Sequence, residues 1–163
     1  MSDCIIIGGG IIGMLTAREL HAAGADVLLL ERGHLGAESS WAGGGILSPL
    51  YPWRYDDSVN ALARYSQQVY AEIAEQLMAE SGIDPEYNQC GLMVLDQDEN
   101  DHAQAWSRQW HMPLNMLASQ QAINQYEPEL NASVEQALWL PEIAQMRNPR
   151  LVKALSRSEE RRV

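Results

Sequence analysis

The sequence predicts an α/β fold that opens on a parallel βαβ unit, and three observations predict it. An apolar run, Cys4 to Ile7, leads directly into glycines at Gly8, Gly10 and Gly13. Residues Ile11 to Ala23 follow with helical spacing, Ile12, Leu15, Thr16, Glu19 and Leu20 lying three to four apart, and Gly24 stops them. A second apolar run, Val27 to Leu30, comes at once and ends in Glu31. Strand, glycine turn, helix and strand within about thirty residues make a βαβ unit.

Each part has a physical reason. Cys4 to Ile7 is short and continuously apolar, as in a parallel strand covered on both faces, where a free Cys4 thiol behaves as a small apolar group. The glycines keep the G-x-G-x-x-G spacing that lays a dinucleotide pyrophosphate on a helix N-terminus, which makes the unit Rossmann-like. Gly8 allows the tight turn, Gly10 lets backbone approach the phosphates, and Gly13 lets the helix pack on the strand. Glu31 lies eighteen residues beyond Gly13, at the end of the second strand. By itself it reads as a solvated charge. In this context it is an acceptor for ribose hydroxyls that repels a 2′-phosphate.

Next comes a second glycine cluster, Ser39 to Pro49, reading SSWAGGGILSP. A plain nicotinamide dehydrogenase has no need of it. Two hydroxyls and another close-approach backbone suit a second phosphate contact and a flat ring lying against main chain. A structural loop draws on the same residue types, so it is the position directly after the ribose acid that favours a cofactor role.

After Pro49 the composition shifts. Tyr51, Trp53 and Tyr55 crowd one segment, as packing anchors or as a pocket wall. Val59, Leu62, Ala63, Ser66, Val69, Tyr70, Ile73, Ala74 and Leu77 then predict a long helix, closed by Gly82 and Pro85. Gly91 to Leu95 reads as a strand. The acidic run Asp96, Asp98, Glu99 and Asp101 reads as the exposed start of a helix through Ala103, Trp106 and Trp110. Ser119 to Tyr126 predicts a short helix, and Val134 to Leu140 a strand returning toward the first domain. Asn148 and Pro149 predict a last helix, Asn148 as cap and Pro149 in the first turn.

Composition excludes several classes. With a net charge of −11 over 163 residues the chain lacks the clustered Lys and Arg that nucleic acid requires. Six of the eleven basic residues (Arg147, Arg150, Lys153, Arg157, Arg161, Arg162) fall in the last seventeen positions and read as a solvated helix face with a basic tail. The two cysteines and four histidines have no metal-ligand spacing. The start has no basic n-region, and no stretch reaches membrane-spanning length, so the cytoplasm is the expected compartment.

The sequences GGGIIG from Gly8, LLLERG from Leu28 and SSWAGGGILSP from Ser39 resemble the FAD-dependent amine and amino-acid oxidases of the D-amino-acid oxidase class. Within that class the chain is most similar to the glycine oxidase branch of the thiamine pathway. The similarity continues through Tyr51 to Tyr55, Cys90 to Leu95, Ala137 to Pro141 and Arg147 to Leu151. It implies an FAD-binding Rossmann-like βαβ unit over residues 1–50, the first part of an inserted α+β substrate domain with the long helix over 51–145, and a return segment over 146–163. Both domains would be incomplete, because family members are more than twice this long, so the chain reads as an amino-terminal portion.

The implied reaction is oxidative deamination of glycine or a similar small amine to glyoxylate, ammonia and hydrogen peroxide. The implied partners are that amine and molecular oxygen, with a homo-oligomeric full-length form. For the cofactor, Gly8, Gly10, Ile11, Ile12 and Gly13 would hold the pyrophosphate turn, Glu31 and Arg32 the adenosine side, and Ser39, Ser40, Gly44, Gly45 and Ile46 the phosphates and flavin edge. No catalytic acid or base is assigned. Two alternatives stand beside this reading: another amine oxidase or D-amino-acid dehydrogenase of the same class, and a catalytically inactive nucleotide-binding fragment. A nicotinamide dehydrogenase is more distant.

Overall fold

The computed structural model of the chain describes residues 1–95, 98–130 and 134–160. In chain order the elements are β1 (Cys4–Ile7), α1 (Ile11–Ala22), β2 (Val27–Leu30), α2 (Ser39–Ala42), a 3-10 turn (Pro52–Arg54), α3 (Asp57–Ser81), β3 (Leu92–Val94), α4 (Asn100–Trp110), β4 (Asn115–Leu117), α5 (Gln120–Asn124), β5 (Ala137–Leu140) and α6 (Asn148–Glu160). They fall into two compact units. One comprises Met1–Gly45, Val69–Tyr87 and the chain from Met146; the other comprises Ile46–Gln68 and Asn88–Gln145. The stretch Val69–Tyr87, which the sequence pattern groups with the second portion, is thus counted with the first.

In the first unit β1 and β2 pair in parallel, in register from Cys4↔Val27 to Ile7↔Leu30. Helix α1 covers one face of this ribbon: a Cβ added at Gly13 would stand 3.5 Å from Ile6 Cγ2. Met14 and Ala17 of α1, Ala74 and Leu77 of α3, and Leu151, Val152, Ala154 and Leu155 of α6 are among the unit's buried apolar residues. Buried Arg18 ties the three helices together. Its guanidinium donates bidentately to Glu80 (2.6 and 3.0 Å), to Gln76 Oε1 (2.9 Å) and to Ser158 Oγ (3.2 Å). Ser158 in turn donates to Glu80. A planar fork with several fixed acceptors is what allows an arginine to leave water at tolerable cost.

Two expectations are corrected here. The strand β1 is not covered on both faces, since Ile5 and Ile7 are exposed while Cys4 and Ile6 are half-buried. Cys4 is accordingly only half-buried, as a free thiol. The cause is that α1 supplies one layer, whereas a parallel sheet needs two.

The second unit is built on a three-stranded antiparallel sheet in the order β3-β5-β4. Central β5 pairs Leu140↔Leu92 and Leu138↔Val94 on one side, and Leu138↔Met116 and Ala137↔Leu117 on the other. Strand 134–140 was expected to return toward the first domain; instead β5 takes the middle of this sheet. The reason lies in its side chains: Leu138 and Leu140 are buried with Val94, Ala103, Trp106, Met112 and Ile143 in one apolar cluster. Sequence pattern did not mark β4, whose three residues (Asn115, Met116 and Leu117) are too few to show an alternation.

The helices follow their signals closely. Gly82 takes a φ of +73° just past α3, and Ser81 Oγ there donates to the Leu77 carbonyl (2.6 Å) and accepts from the Ile83 N–H (3.0 Å). Ser119 caps α5 by accepting from the Ala122 N–H at 3.2 Å. The apolar stripe of α3 is buried only in its later part, since Val59 and Leu62 are exposed. In the acidic run, Asp101 lies in the first turn of α4, but Glu99 is no idle solvated charge: it accepts from Trp53 Nε1 and from Arg54 Nε (2.8 Å). These bonds, Arg54 first, hold its carboxyl below the usual carboxylate range. Asp96, Arg161 and Arg162 lie outside the described residues. Arg150 pairs with Glu86 at 3.1 Å and donates to the Asp84 carbonyl at 2.6 Å, so this part of the basic stretch is bound to the first unit.

Candidate dinucleotide site

The glycine turn is built as its spacing requires. Gly8 adopts a φ of +108° and donates its N–H to the Leu30 carbonyl (2.8 Å), which closes the strand-to-helix turn against β2. At Gly13 a Cβ would stand 2.0 Å from the Gly8 carbonyl oxygen, so only glycine permits this close approach of α1 to the turn. Helix α1 starts after Gly10, whose backbone is extended, with no side-chain cap from that residue and no acid in the first turn. Its first N–H groups, which a helix cannot satisfy internally, therefore end in a region free of its own negative charge. Ile11 is half-buried behind the turn and Ile12 is exposed.

The second cluster reaches this helix end. Ser40 Oγ accepts the Ile11 N–H at 2.9 Å, across twenty-nine residues of sequence. It also stands 3.1 Å from where a Gly10 Cβ would be. A hydroxyl both accepts and donates, so Ser40 presents a donor beside the orphan N–H groups at the place where an anion is drawn to a helix start. Ser39 opens the single turn of α2 and is exposed, as is Gly44. Gly45 has a φ of +77°, and a Cβ there would meet the Met146 carbonyl oxygen at 1.9 Å. Ile46 belongs to the second unit, where it bridges to Gln145.

Glu31 faces the turn. One carboxylate oxygen accepts the Gly9 N–H (2.7 Å) and the other the Gly33 N–H (2.8 Å). These two backbone bonds, Gly9 first, hold its carboxyl below the usual carboxylate range, so it is ionised at neutral pH. A carboxylate offers about four lone-pair sites, so acceptor capacity remains for a hydroxyl donor. Arg32 turns away to an exposed ion pair with Glu38 (2.7 Å).

One contributor escaped the sequence reading. Asn148, expected only as a helix cap, begins α6, while the Arg147 carbonyl accepts the first intrahelical N–H, from Leu151 (2.9 Å). The Asn148 amide instead donates to the Ser40 carbonyl at 3.1 Å. Its Nδ2 would stand 2.2 Å from a Cβ at Gly43, and its Oδ1 3.2 Å from one at Gly45. The side chain thus braces the serine and glycine cluster from behind. The only signal for it was the Asn-Pro pair, which serves a helix start equally well.

In the second unit, Tyr51 and Trp53 pack edge to face at 5.8 Å, and Trp53 packs similarly on Trp106 at 6.3 Å, so both are anchors. Tyr55, with Trp53, Trp106 and Trp110, walls an open hollow of about 300 Å³. Among the described residues no group of three or more His, Cys, Asp or Glu is placed to hold a metal ion, and no helix is long and apolar enough to cross a membrane.

The family model described as FAD-dependent oxidoreductase matches residues 3–162. The chain belongs to that family. It is 46% identical to the glycine oxidase of Pseudomonas aeruginosa over 154 residues, covering 94% of this chain and 42% of that protein. It is 31% identical over 155 residues to the bifunctional protein ThiO/ThiG of a Nostoc species, covering 94% of this chain and 24% of that one. The solved glycine oxidase of Geobacillus kaustophilus superposes with a TM-score of 0.87 at 27% identity, covering 98% of this chain and 44% of that one. The chain therefore spans less than half the length of these relatives. The expected α/β class, incomplete against the family fold, holds, and FAD is the family's cofactor. The turn fits it: a helix start without acid for a pyrophosphate, an ionised Glu31 for hydroxyls, and glycines where side chains would collide.

Proposed function

We propose that this chain supplies the adenosine and pyrophosphate cradle of an FAD-dependent oxidase that deaminates glycine, or a similar small amine, in thiamine biosynthesis in the cytoplasm. The observation that carries the reading is the Ser40 hydroxyl on the Ile11 N–H, because it joins the two glycine clusters at one helix end. The N–H groups of the first turn of α1 and the Ser40 hydroxyl bind the pyrophosphate. Glu31 takes the ribose hydroxyls and excludes a 2′-phosphate. Gly44 and Gly45 offer main chain to the flavin edge, and Asn148, set against Gly43 and Gly45, holds that main chain in place. FAD, when bound, supplies two-electron chemistry between the amine's α-carbon and dioxygen, so that glycine, water and oxygen yield glyoxylate, ammonia and hydrogen peroxide. The family's longer chains and the similarity to glycine oxidases support this reading.

The test is peroxide release. The chain joined to the remaining portion of the Pseudomonas aeruginosa glycine oxidase should release peroxide on glycine and lose it with Gly13→Val. Turnover of D-amino acids but not glycine would redirect the reading within the class, and NAD binding without FAD would end it.

A further inference from the structure

The open hollow of about 300 Å³ lies wholly within the second unit, and none of its lining residues belongs to the glycine turn or the serine cluster. Trp53 and Tyr55 wall it from the segment before α3, and Trp106 and Trp110, one helical turn apart, wall it from α4. The Trp53 and Trp106 rings meet at 65° with centroids 6.3 Å apart, so they form a corner and not a flat stack. The donors that could serve an anion are committed inside the protein. Trp53 Nε1 donates to Glu99, Trp106 Nε1 to Asn60 Oδ1 (3.0 Å), and the Asn60 amide to the Pro52 and Tyr55 carbonyls (3.0 and 3.1 Å). No lysine or arginine lines the hollow. Nearby Arg54 stands over the Tyr51 ring at 4.1 Å and is neutralised by Glu99. Asp57, His102 and Gln109 are its remaining polar side chains besides Asn60. Asp57 is exposed at the start of α3; one of its oxygens accepts the Gln109 amide at 3.0 Å, and no ion pair meets its charge among the described residues.

We propose that this hollow is a binding site for a methylated ammonium ion. Aromatic faces attract a cation through their quadrupole, and Asp57 adds a full negative charge at the rim. The rings favour methylated nitrogen over a primary ammonium. A primary ammonium carries three N–H donors, each of which needs an acceptor, and aromatic walls supply none. Methyl groups replace those donors with apolar surface that the indole and phenol rings cover. The volume stands at the low end of the range for small-molecule pockets, enough for such a head group. An anion would meet ring faces and a carboxylate instead of donors. The inference does not rest on the FAD reading of the preceding section.

The test titrates the purified 163-residue chain with choline and, separately, with its uncharged analogue in which a quaternary carbon replaces the nitrogen. Tryptophan emission and calorimetric heat report binding. Choline should saturate with a Kd of about a millimolar or below, at least about tenfold tighter than the analogue, and should change the emission of the hollow's three tryptophans. Asp57→Asn keeps an acceptor for Gln109 and should weaken choline about tenfold. Tyr55→Leu, at a side chain 48% exposed, should weaken it several-fold. Neither exposed substitution should move the unfolding midpoint. Equal affinity for choline and its uncharged analogue would overturn the proposal, because the hollow would then be merely apolar. Choline binding that neither substitution changes would place the site elsewhere and overturn it too, as would no saturation, or tighter binding of sulfate than of choline.

Discussion

The two units treat their strands in opposite ways. Central β5 of the second unit buries Ala137, Leu138 and Leu140 and is paired on both edges. The pair β1 and β2, more uniformly apolar in sequence, buries no residue fully and leaves every second side chain exposed. Apolar content alone therefore does not tell whether a strand is enclosed; the number of neighbouring layers and strands does. The unit that carries the glycine turn is the open one, and the enclosed apolar cluster around Leu138, Leu140 and Trp106 lies in the other.

The contrast can be broken most severely at the turn itself. Gly13→Val should abolish flavin retention outright, read from the visible spectrum of the purified fused protein, because even its Cβ collides with the Gly8 carbonyl. The next effect separates the units. Leu140→Ala, at a fully buried position, should lower stability by about 2–5 kcal/mol in denaturant unfolding. Leu30→Ala, made in the same 163-residue chain, should stay within about 0.5 kcal/mol; equal losses would erase the distinction between an enclosed and an open strand.

Much of this was legible in the residues. Gly8 and Gly13 mark the turn because each answers a local steric demand, Gly24 and Gly82 mark helix ends by their positive φ, and Ser119 marks one by its hydrogen bond to the Ala122 N–H. The joining of Ser40 to Ile11 was legible only as a joint cofactor role for two glycine clusters; the contact spans twenty-nine residues, and no local pattern encodes it. Asn148 was hidden because one Asn-Pro pair serves equally as a cap and as a brace. The open face of β1 was hidden as well, since an apolar run does not show how many layers pack on it.

Smaller effects refine the open unit. Asn148→Ala removes the amide from the Ser40 carbonyl and should weaken FAD binding by about tenfold, corresponding to roughly 1–1.5 kcal/mol for one hydrogen bond, with little change in unfolding midpoint. The pH response of Glu31 should be the mildest at neutrality. Its folded carboxyl titrates below the ordinary value because Gly9 and Gly33 donate to the ionised form, so what it contributes is present above the ordinary glutamate range and is lost as pH falls through the depressed value. Flavin retention should therefore be flat from neutral pH down to that range and decline below it. In Glu31→Gln this acid decline should disappear.

The central claim is that the glycine turn, Ser40 and Glu31 form one FAD cradle. Competitive titration of the fused protein, stripped of cofactor, with FAD and with NAD measures it directly. The account predicts that FAD restores the flavin band at one equivalent per chain, that NAD does not displace it, and that Glu31→Gln weakens the FAD midpoint. A midpoint unchanged by Glu31→Gln, or preferential binding of NAD, would contradict it.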